Sequence, residues 1–261
     1  MRAIVLWLLF AGTNLASAQS LLNLSSAFPA LVKLTILVNE SPLLTTLLGT
    51  ANNCTFLAPS DDALTAWLQT NRSQAWIDAN ISYHLLPGNN PTISLENTTH
   101  FLSSFLTNSS FSNVTGGQRV EGVGTQNTIF HSANKTASAV TLGDYLSETA
   151  LVSIIDRVLE IPLDLLTTMT QTRLSYALSV FNAARFLPQY SASMTEVILS
   201  SSDITWLVPN SATALANFQD TNFTTEETFL ITGYHFVLGN IHYSPELKNG
   251  TVLMTCSGCR L

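Results

Sequence analysis

The fold is decided by the stretch Phe56-Leu57-Ala58-Pro59-Ser60, because a similar stretch, Trp206-Leu207-Val208-Pro209-Asn210, follows half a chain later. A tyrosine–histidine pair comes after each copy, as Tyr83-His84 and as Tyr234-His235. The two prolines are 150 positions apart and the two histidines 151. Two landmarks repeated at matched spacing indicate one domain duplicated in tandem.

Each copy of the stretch predicts a strand that leads into a helix. Residues Cys54–Ala58 form a short apolar run, typical of a buried strand, which Pro59 ends. Ser60 then has the side chain to cap a helix. The second copy has the same order, with a strand at Ile204–Val208 and Asn210 as the predicted cap.

The segment before the first strand predicts a helix with clear ends. Ser41 is a good cap, Pro42 suits the first helical position, and Gly49 is expected to end the helix in a left-handed conformation. An earlier helix is predicted from Ala30 to Leu37, with apolar residues at helical spacing.

From about Phe101 onwards, short apolar segments alternate with glycine, asparagine, serine and threonine. This pattern predicts an antiparallel sheet, with strands at Gln118–Gly124, Asn127–His131 and Ala137–Leu142, and a last strand at Leu151–Leu159. A helical first half followed by a β second half is an α+β pattern.

The composition restricts the class of protein. The 261 residues are 46% hydrophobic and 10% charged, with a formal net charge of −7. An acidic chain without a basic cluster is not expected to bind nucleic acid or an anionic membrane surface. The length and the repeat together favour two medium-sized domains.

The chain has few charged residues but eleven Asn-X-Ser/Thr sequons, and this combination predicts a secreted glycoprotein whose surface is made polar by sugar. Asn53 lies beside a predicted strand, so we expect it to be too buried for modification. The other ten are candidate acceptors: Asn23, Asn39, Asn71, Asn80, Asn97, Asn108, Asn113, Asn134, Asn222 and Asn249.

The N-terminus predicts secretion as well. Arg2 precedes an apolar run, and Ala16-Ser17-Ala18 is a small-X-small cleavage site, so residues 1–18 are predicted to be a signal peptide. The alternative is a membrane anchor, which the shortness of the apolar run disfavours.

Together these motifs resemble the fasciclin domain family. The resemblance rests on residues 55–64, 81–86 and 154–162 in the first copy, and on residues 205–215 and 231–238 in the second. With the signal, the sequons and the segment Asn249–Leu253, the chain is most similar to the secreted fungal branch. The resemblance implies helices packed on a wedge of mostly antiparallel β-sheet, repeated in tandem.

The same resemblance implies a function without catalysis, cofactor or metal. It implies adhesion, or association with the cell wall or matrix, with extracellular matrix, cell-wall or cell-surface proteins or glycans as partners. The predicted domains are residues 19–162 and 174–261, joined by a linker at 163–173. Only 26 residues follow His235, against 78 between His84 and Pro162, so we expect the second domain to be incomplete. Membrane attachment would require a C-terminal anchor beyond it.

The tyrosine–histidine pairs Tyr83, His84, Tyr234 and His235 are the candidate adhesion residues, since this region is linked to integrin binding in some animal relatives. The alternative is a structural role, in which the tyrosine packs in the core and the histidine bonds a backbone group. Either role allows the histidine to make stability or adhesion sensitive to pH.

Two other clusters suggest chemistry only weakly. Asp61 and Asp62 are typical of a helix N-terminus rather than of an acid–base pair or a calcium loop. Cys256-X-X-Cys259 lacks the second cysteine pair that a zinc site would need. A secreted glycan-active enzyme and a purely structural wall component therefore remain as alternatives to the adhesion protein.

Overall fold

In the first part of the chain, four helices come early and most of the strands follow them. The computed structural model describes residues 20–124, 126–183, 201–219 and 223–255, so the predicted signal peptide lies outside the described residues. Short 3-10 turns at Leu21–Ser26 and Pro29–Leu31 precede the first four helices. These helices are α1 (Val32–Glu40), α2 (Pro42–Thr50), α3 (Asp61–Trp67) and α4 (Gln74–Tyr83).

Seven strands form one sheet, in the order β2-β1-β7-β6-β5-β4-β3. Neighbouring strands are antiparallel except for β1 and β7, which are parallel. Helices packed against a mostly antiparallel sheet confirm the predicted α+β class. The strands are β1 (Cys54–Pro59), β2 (Leu85–Pro87), β3 (Thr99–Ser103), β4 (Arg119–Gly124), β5 (Thr128–His131), β6 (Ala137–Leu146) and β7 (Ala150–Ile155).

The parallel pair joins two strands that lie far apart in the chain. Cys54 pairs with Ala150 at one end, and Pro59 pairs with Ile155 at the other. Ser60 N still donates to Ile155 O at 3.0 Å, and helix α3 begins at the next residue, so the pairing with β7 ends there. The prediction that the last strand runs to Leu159 was therefore wrong, since β7 ends at Ile155.

The core lies on both faces of β1, and all six residues of this strand are buried. Successive side chains of a strand point to opposite faces. Phe56 and Ala58 accordingly pack in a first cluster beneath the N-terminal helices. Leu57 packs in a second cluster on the other face, together with Tyr83 and Phe130.

The helix caps largely follow the sequence. The Ser41 hydroxyl accepts a hydrogen bond from Leu44 N at 3.2 Å, and the Ser60 hydroxyl accepts one from Ala63 N at 3.3 Å. The predicted stop at Gly49 was wrong, because α2 continues to Thr50. The Thr50 hydroxyl donates to Thr46 O at 2.8 Å within the last turn.

The second part of the chain repeats the helix–strand order on a smaller scale. A third cluster of buried residues there includes Met169, Val180, Phe181 and Phe236. The elements are α5 (Leu165–Gln171), α6 (Ser175–Ala183), β8 (Thr205–Trp206), α7 (Ala212–Gln219), α8 (Thr225–Gly233) and β9 (Phe236–Val237).

The segment predicted as a linker, residues 163–173, contains helix α5, which Asp164 caps by accepting from Thr167 N at 2.9 Å. Met169 is buried in the third cluster, so this segment packs with the second part of the chain. Ser211 takes the place expected for Asn210, because the helix starts one residue later and the Ser211 hydroxyl accepts from Ala214 N at 3.1 Å.

No single helix within the described residues is both long and apolar enough to cross a bilayer. The helices Pro29–Glu40 and Pro42–Thr50 are long and apolar enough only when taken together, and the chain bends by 111° between them.

Cys54 is a free cysteine at the start of β1, and burial raises the pKa of its thiol to about 11. Cys256 and Cys259 lie outside the described residues.

Two adjacent glycines provide a matched test of the fold. A Cβ at Gly117 would lie 1.9 Å from the Ser104 carbonyl oxygen, and φ there is +101°. A Cβ at Gly116 would meet nothing within 4 Å, although φ is +77°. We expect Gly117→Ala to lower the free energy of unfolding by about 3 kcal/mol or more, and Gly116→Ala by about 1 kcal/mol. Urea unfolding measures both, and equal losses would contradict the turn geometry.

Candidate functional site

The first tyrosine–histidine pair lies at the C-terminal end of α4. The helix begins where the Ser73 hydroxyl accepts from Trp76 N at 3.3 Å, and it ends at Tyr83 with His84 as the C-cap residue. Neither side chain is accessible, since Tyr83 and His84 are both 0% exposed. The position at the helix end directs both side chains into the interior, where each of them finds a partner.

His84 bonds through both ring nitrogens. Its Nδ1 lies 2.7 Å from Asn80 O, and its Nε2 accepts a hydrogen bond from Leu159 N at 2.9 Å. A carbonyl oxygen can only accept, and a backbone N–H can only donate. The ring is therefore neutral, with its proton on Nδ1.

The pKa of His84 also indicates that its ring is neutral at pH 7. Burial lowers the pKa of His84 to about 4, and the hydrogen bond to Asn80 O offsets only part of that shift. A charged ring would need protons on both nitrogens, and the Nε2 proton would point at Leu159 N–H. At neutral pH the histidine is thus a structural hydrogen-bonding group rather than an acid–base catalyst.

Asn80 completes the contact with Leu159. Its Nδ2 donates to Leu159 O at 2.8 Å, so Asn80 of α4 and the C-cap residue His84 satisfy both backbone polar groups of Leu159. We call this arrangement the Leu159 latch. It joins positions 75 and 79 residues apart in the chain, and all three residues are fully buried.

Tyr83 extends the same connections across the sheet. Its hydroxyl donates to Arg119 O on β4 at 2.7 Å, and burial raises the pKa of the phenol well above its usual range. The backbone of His84 also contributes, because its carbonyl accepts from Leu57 N on β1 at 2.9 Å. The motif therefore connects α4, β1, β4 and the segment after β7.

The second pair repeats part of this geometry. The His235 carbonyl accepts from Leu207 N at 2.9 Å, as the His84 carbonyl accepts from Leu57 N. The ring differs, since Nδ1 of His235 lies 2.7 Å from Leu207 O rather than from its own helix. Tyr234 is 63% exposed, and His235 is half-buried.

A second set of hydrogen bonds is similar in the two parts, with partners 33 and 35 residues after the threonine in the first and 35 and 37 in the second. The Thr55 hydroxyl donates to Gly88 O at 2.9 Å and accepts from Asn90 N at 2.8 Å. The Thr205 hydroxyl donates to Asn240 O at 3.0 Å and accepts from His242 N at 2.7 Å. Equivalent side chains thus close equivalent turns in the two parts.

Contacts between the two parts of the chain include the loop at Asn113–Thr115 and strand β3 of the first part. Asp203 N donates to Asn113 O at 2.9 Å, and Asp203 Oδ1 accepts from Thr115 N at 2.8 Å. The ring of Tyr243 stacks on Phe101, with 4.0 Å between the centroids. A groove of about 400 Å³ beside this contact is lined by residues of both parts, including Trp76 and Trp206.

The structure places most of the candidate sequons at the surface. Asn80 is the exception, since it is fully buried in the Leu159 latch. The expectation that Asn53 is buried was wrong, because its left-handed backbone (φ 49°) turns the side chain out before β1. Asn222 lies outside the described residues. The exposed candidates are Asn23, Asn39, Asn71, Asn97, Asn108, Asn113, Asn134 and Asn249.

The two aspartates at the start of α3 serve structural purposes. Asp61 Oδ1 accepts from Lys33 N at 2.8 Å and so ties α3 to α1. Both carboxylates lie in the first turn of the helix, where its dipole favours negative charge. In the described ranges, no group of three or more histidine, cysteine, aspartate or glutamate side chains is arranged to hold a metal ion.

Comparisons with known proteins agree with the motifs. The model of the fasciclin domain matches residues 29–162, slightly more than half of the chain. Among solved structures, the chain is similar to a FAS1 domain pair from the insect cell adhesion molecule fasciclin I. That match has 16% identity and a TM-score of 0.43, and it covers 87% of this chain and 81% of the other. No curated protein sequence matches the chain.

The buried histidine predicts a dependence of stability on pH. Because folding lowers the pKa of His84 from 6.5 to about 4, the unfolded chain binds the proton more readily between these values. The contribution of His84 is complete above pH 6.5. As pH falls towards 4, we expect it to reduce the free energy of unfolding by up to about 3 kcal/mol.

His84→Gln removes the titrating group, so we expect a shallower loss of stability between pH 7 and pH 4. Urea unfolding at several pH values measures this difference. His100→Gln is the matched control, since His100 is less buried and bonds the nearby Thr98 hydroxyl. A His84→Gln profile parallel to that of the unaltered chain would contradict the assignment.

Proposed function

Since the chain belongs to the fasciclin domain family, we propose that it is a secreted or cell-surface glycoprotein that mediates cell adhesion or cell-wall and matrix association without catalysis. Fasciclin domains are associated with cell adhesion, and their proteins are typically extracellular or at the cell surface. The match to residues 29–162 is the observation that carries this proposal.

The geometry of the best-matched motif supports a binding module rather than an enzyme. General acid–base catalysis needs a titrating group within reach of a substrate. His84 and Tyr83 are fully buried, and their polar atoms bond the backbone at Leu159 and Arg119. Their chemistry is used to hold the domain together, which leaves partner recognition to the outer surface.

We propose further that the second part is another fasciclin domain and that the two act together. The matching bonds of Thr55 and Thr205, and of Leu57 and Leu207, support this duplication. Two linked weak sites gain affinity through effective concentration, without new contacts. The contacts of Asp203 with the loop at Asn113 and Thr115 would limit how far the sites can separate.

Binding to isolated wall or matrix tests the adhesion proposal. We expect the full chain to be retained more tightly than a version that ends at Pro162, by about 10-fold or more. The urea unfolding of the shorter version serves as a control for its fold. Equal retention of the two would contradict a contribution from paired domains, and no retention of either would contradict adhesion.

The glycoprotein proposal makes a site-specific prediction. A glycan is attached to the asparagine Nδ2, and at Asn80 this nitrogen donates to Leu159 O in the interior. We expect glycopeptide mapping of the secreted protein to find Asn80 unmodified, with sugar at exposed sequons such as Asn71 and Asn108. Substantial occupancy at Asn80 in folded, soluble protein would contradict the latch.

Two alternatives are separable from adhesion. A secreted glycan-active enzyme would turn over glycoside substrates, and such enzymes need two carboxylates across a cleft. A purely structural wall component would bind isolated wall polysaccharide as well as it binds intact cells.

A further inference from the structure

The outer face of helix α1 carries two exposed aliphatic side chains one turn apart. Val32 is 44% exposed and Ile36 is 52% exposed. Residues four apart lie on the same face of a helix, so the two side chains form one continuous apolar surface, which we call the α1 strip. The core-facing side of the same helix is formed by Leu34, Leu37 and Val38, all buried, so the strip is not part of the core.

A sequon lies at the C-terminal end of the same face. Asn39 is exposed, and it follows Ile36 by three residues and Val32 by seven. Seven residues are close to two helical turns, so all three side chains lie along one side of α1. Among the candidate sequons in the described ranges, the other asparagine within an α-helix is Asn80, which is buried in the Leu159 latch.

We propose that the N-linked glycan of Asn39 lies back along α1 and covers the α1 strip. The proposal rests on the proposed function, since it requires the chain to be a glycoprotein. The C–H faces of the sugar rings and the methyl of the N-acetyl group are apolar. Their contact with Val32 and Ile36 would remove apolar surface of both partners from water, which is favourable.

The direction of the Asn39 side chain favours this placement. In an α-helix each Cα–Cβ bond tilts toward the N-terminus, so a side chain covers the turn that precedes it. The Asn39 side chain therefore starts toward Ile36 rather than toward α2. With a rise of 1.5 Å per residue, Ile36 lies about 4.5 Å and Val32 about 10 Å back along the axis, within reach of the first sugars of a glycan.

The groups that this contact needs are not engaged elsewhere. The long side chain of Lys33 is directed to α3, because its Nζ bonds the Thr65 hydroxyl and its backbone N donates to Asp61 Oδ1. Among the residues that the structure describes, the Asn39 side chain has no hydrogen-bond partner. At Asn80, in contrast, the nitrogen that would carry the sugar donates to Leu159 O.

The third residue of the sequon determines how the test is designed. The Ser41 hydroxyl is part of the Asn-X-Ser signal, but in the folded chain Ser41 is 1% exposed and its hydroxyl accepts from Leu44 N at 3.2 Å. The glycan must therefore be added before α2 packs, so the test uses protein secreted by a glycosylating host. The sequon is removed at Asn39, because Ser41→Ala would also remove the helix cap.

Asn39→Gln removes the glycan from the secreted protein, and we expect the melting temperature to fall by about 2–4 °C. Glutamine is a better helix former than asparagine, so the substitution itself does not account for a loss. The same two chains made in a host without N-glycosylation are the control, and there we expect no decrease. A decrease of equal size in the control, or none in the secreted protein, would overturn the proposal.

A second substitution localises the effect to the strip. In an Ile36→Ser background, we expect Asn39→Gln to lower the melting temperature by less than half as much, because the glycan has lost its main contact. Ile93→Ser is the matched control, since Ile93 is 66% exposed and lies in a 3-10 turn outside α1. The full decrease is expected there. Equal decreases in the two backgrounds would show that the glycan does not act through Ile36, which would overturn the proposal.

Nuclear magnetic resonance detects the contact directly. In secreted protein with labelled isoleucine methyl groups, we expect a nuclear Overhauser effect between the Ile36 methyls and the first sugar of the glycan. The Asn39→Gln protein identifies these signals, because they must disappear from its spectrum. A glycosylated Asn39 without any such signal at Ile36 would overturn the proposal.

Glycopeptide mapping separates this proposal from the proposed function on which it rests. Sugar at Asn39 is required by both. Sugar at Asn71 and Asn108 but not at Asn39 would overturn the covered strip and leave the glycoprotein in place. Secreted protein without sugar at any sequon would overturn both.

Discussion

The domain depends on the fixing of one residue, Leu159, to the end of helix α4. Asn80 and His84 satisfy its carbonyl and its N–H, and they do so deep in the interior. A buried backbone group that loses its partner costs about 1–3 kcal/mol, so each of these bonds is difficult to replace. The latch holds the end of the sheet against the helices that begin the domain. A hydrocarbon side chain at position 84 could not accept the hydrogen bond from Leu159 N.

Local features of the fold were predictable from the sequence because their causes are local. Ser41 and Ser60 cap their helices through atoms three residues away, and the strands at β4 and β5 follow from alternation and turn residues. The parallel pairing of β1 with β7 was not predictable in this way. It joins residues almost 100 positions apart, and no spacing or propensity in either strand encodes its partner.

The surroundings of the first tyrosine–histidine pair were predictable in part, for a related reason. A buried structural role was one of the two interpretations of Tyr83 and His84, whereas a role in adhesion stays a prediction. The partners Arg119 O and Leu159 are backbone groups, which carry no side-chain signature that a sequence can reveal. Burial was also misjudged between Asn53 and Asn80. A left-handed turn exposes the first, whereas the second lies on the inner face of α4.

The two tyrosine–histidine pairs lie in different surroundings. In the first part, β7 and the chain after it cover Tyr83, and the tyrosine hydroxyl and the histidine ring both bond the backbone. In the second part, the same residue types meet fewer neighbours, and Tyr234 lies at the surface. A residue selected to fill a core is apolar and shape-specific, which are also the properties of a binding hot spot. Tyr234 therefore has at the surface the same apolar character that Tyr83 contributes to the core.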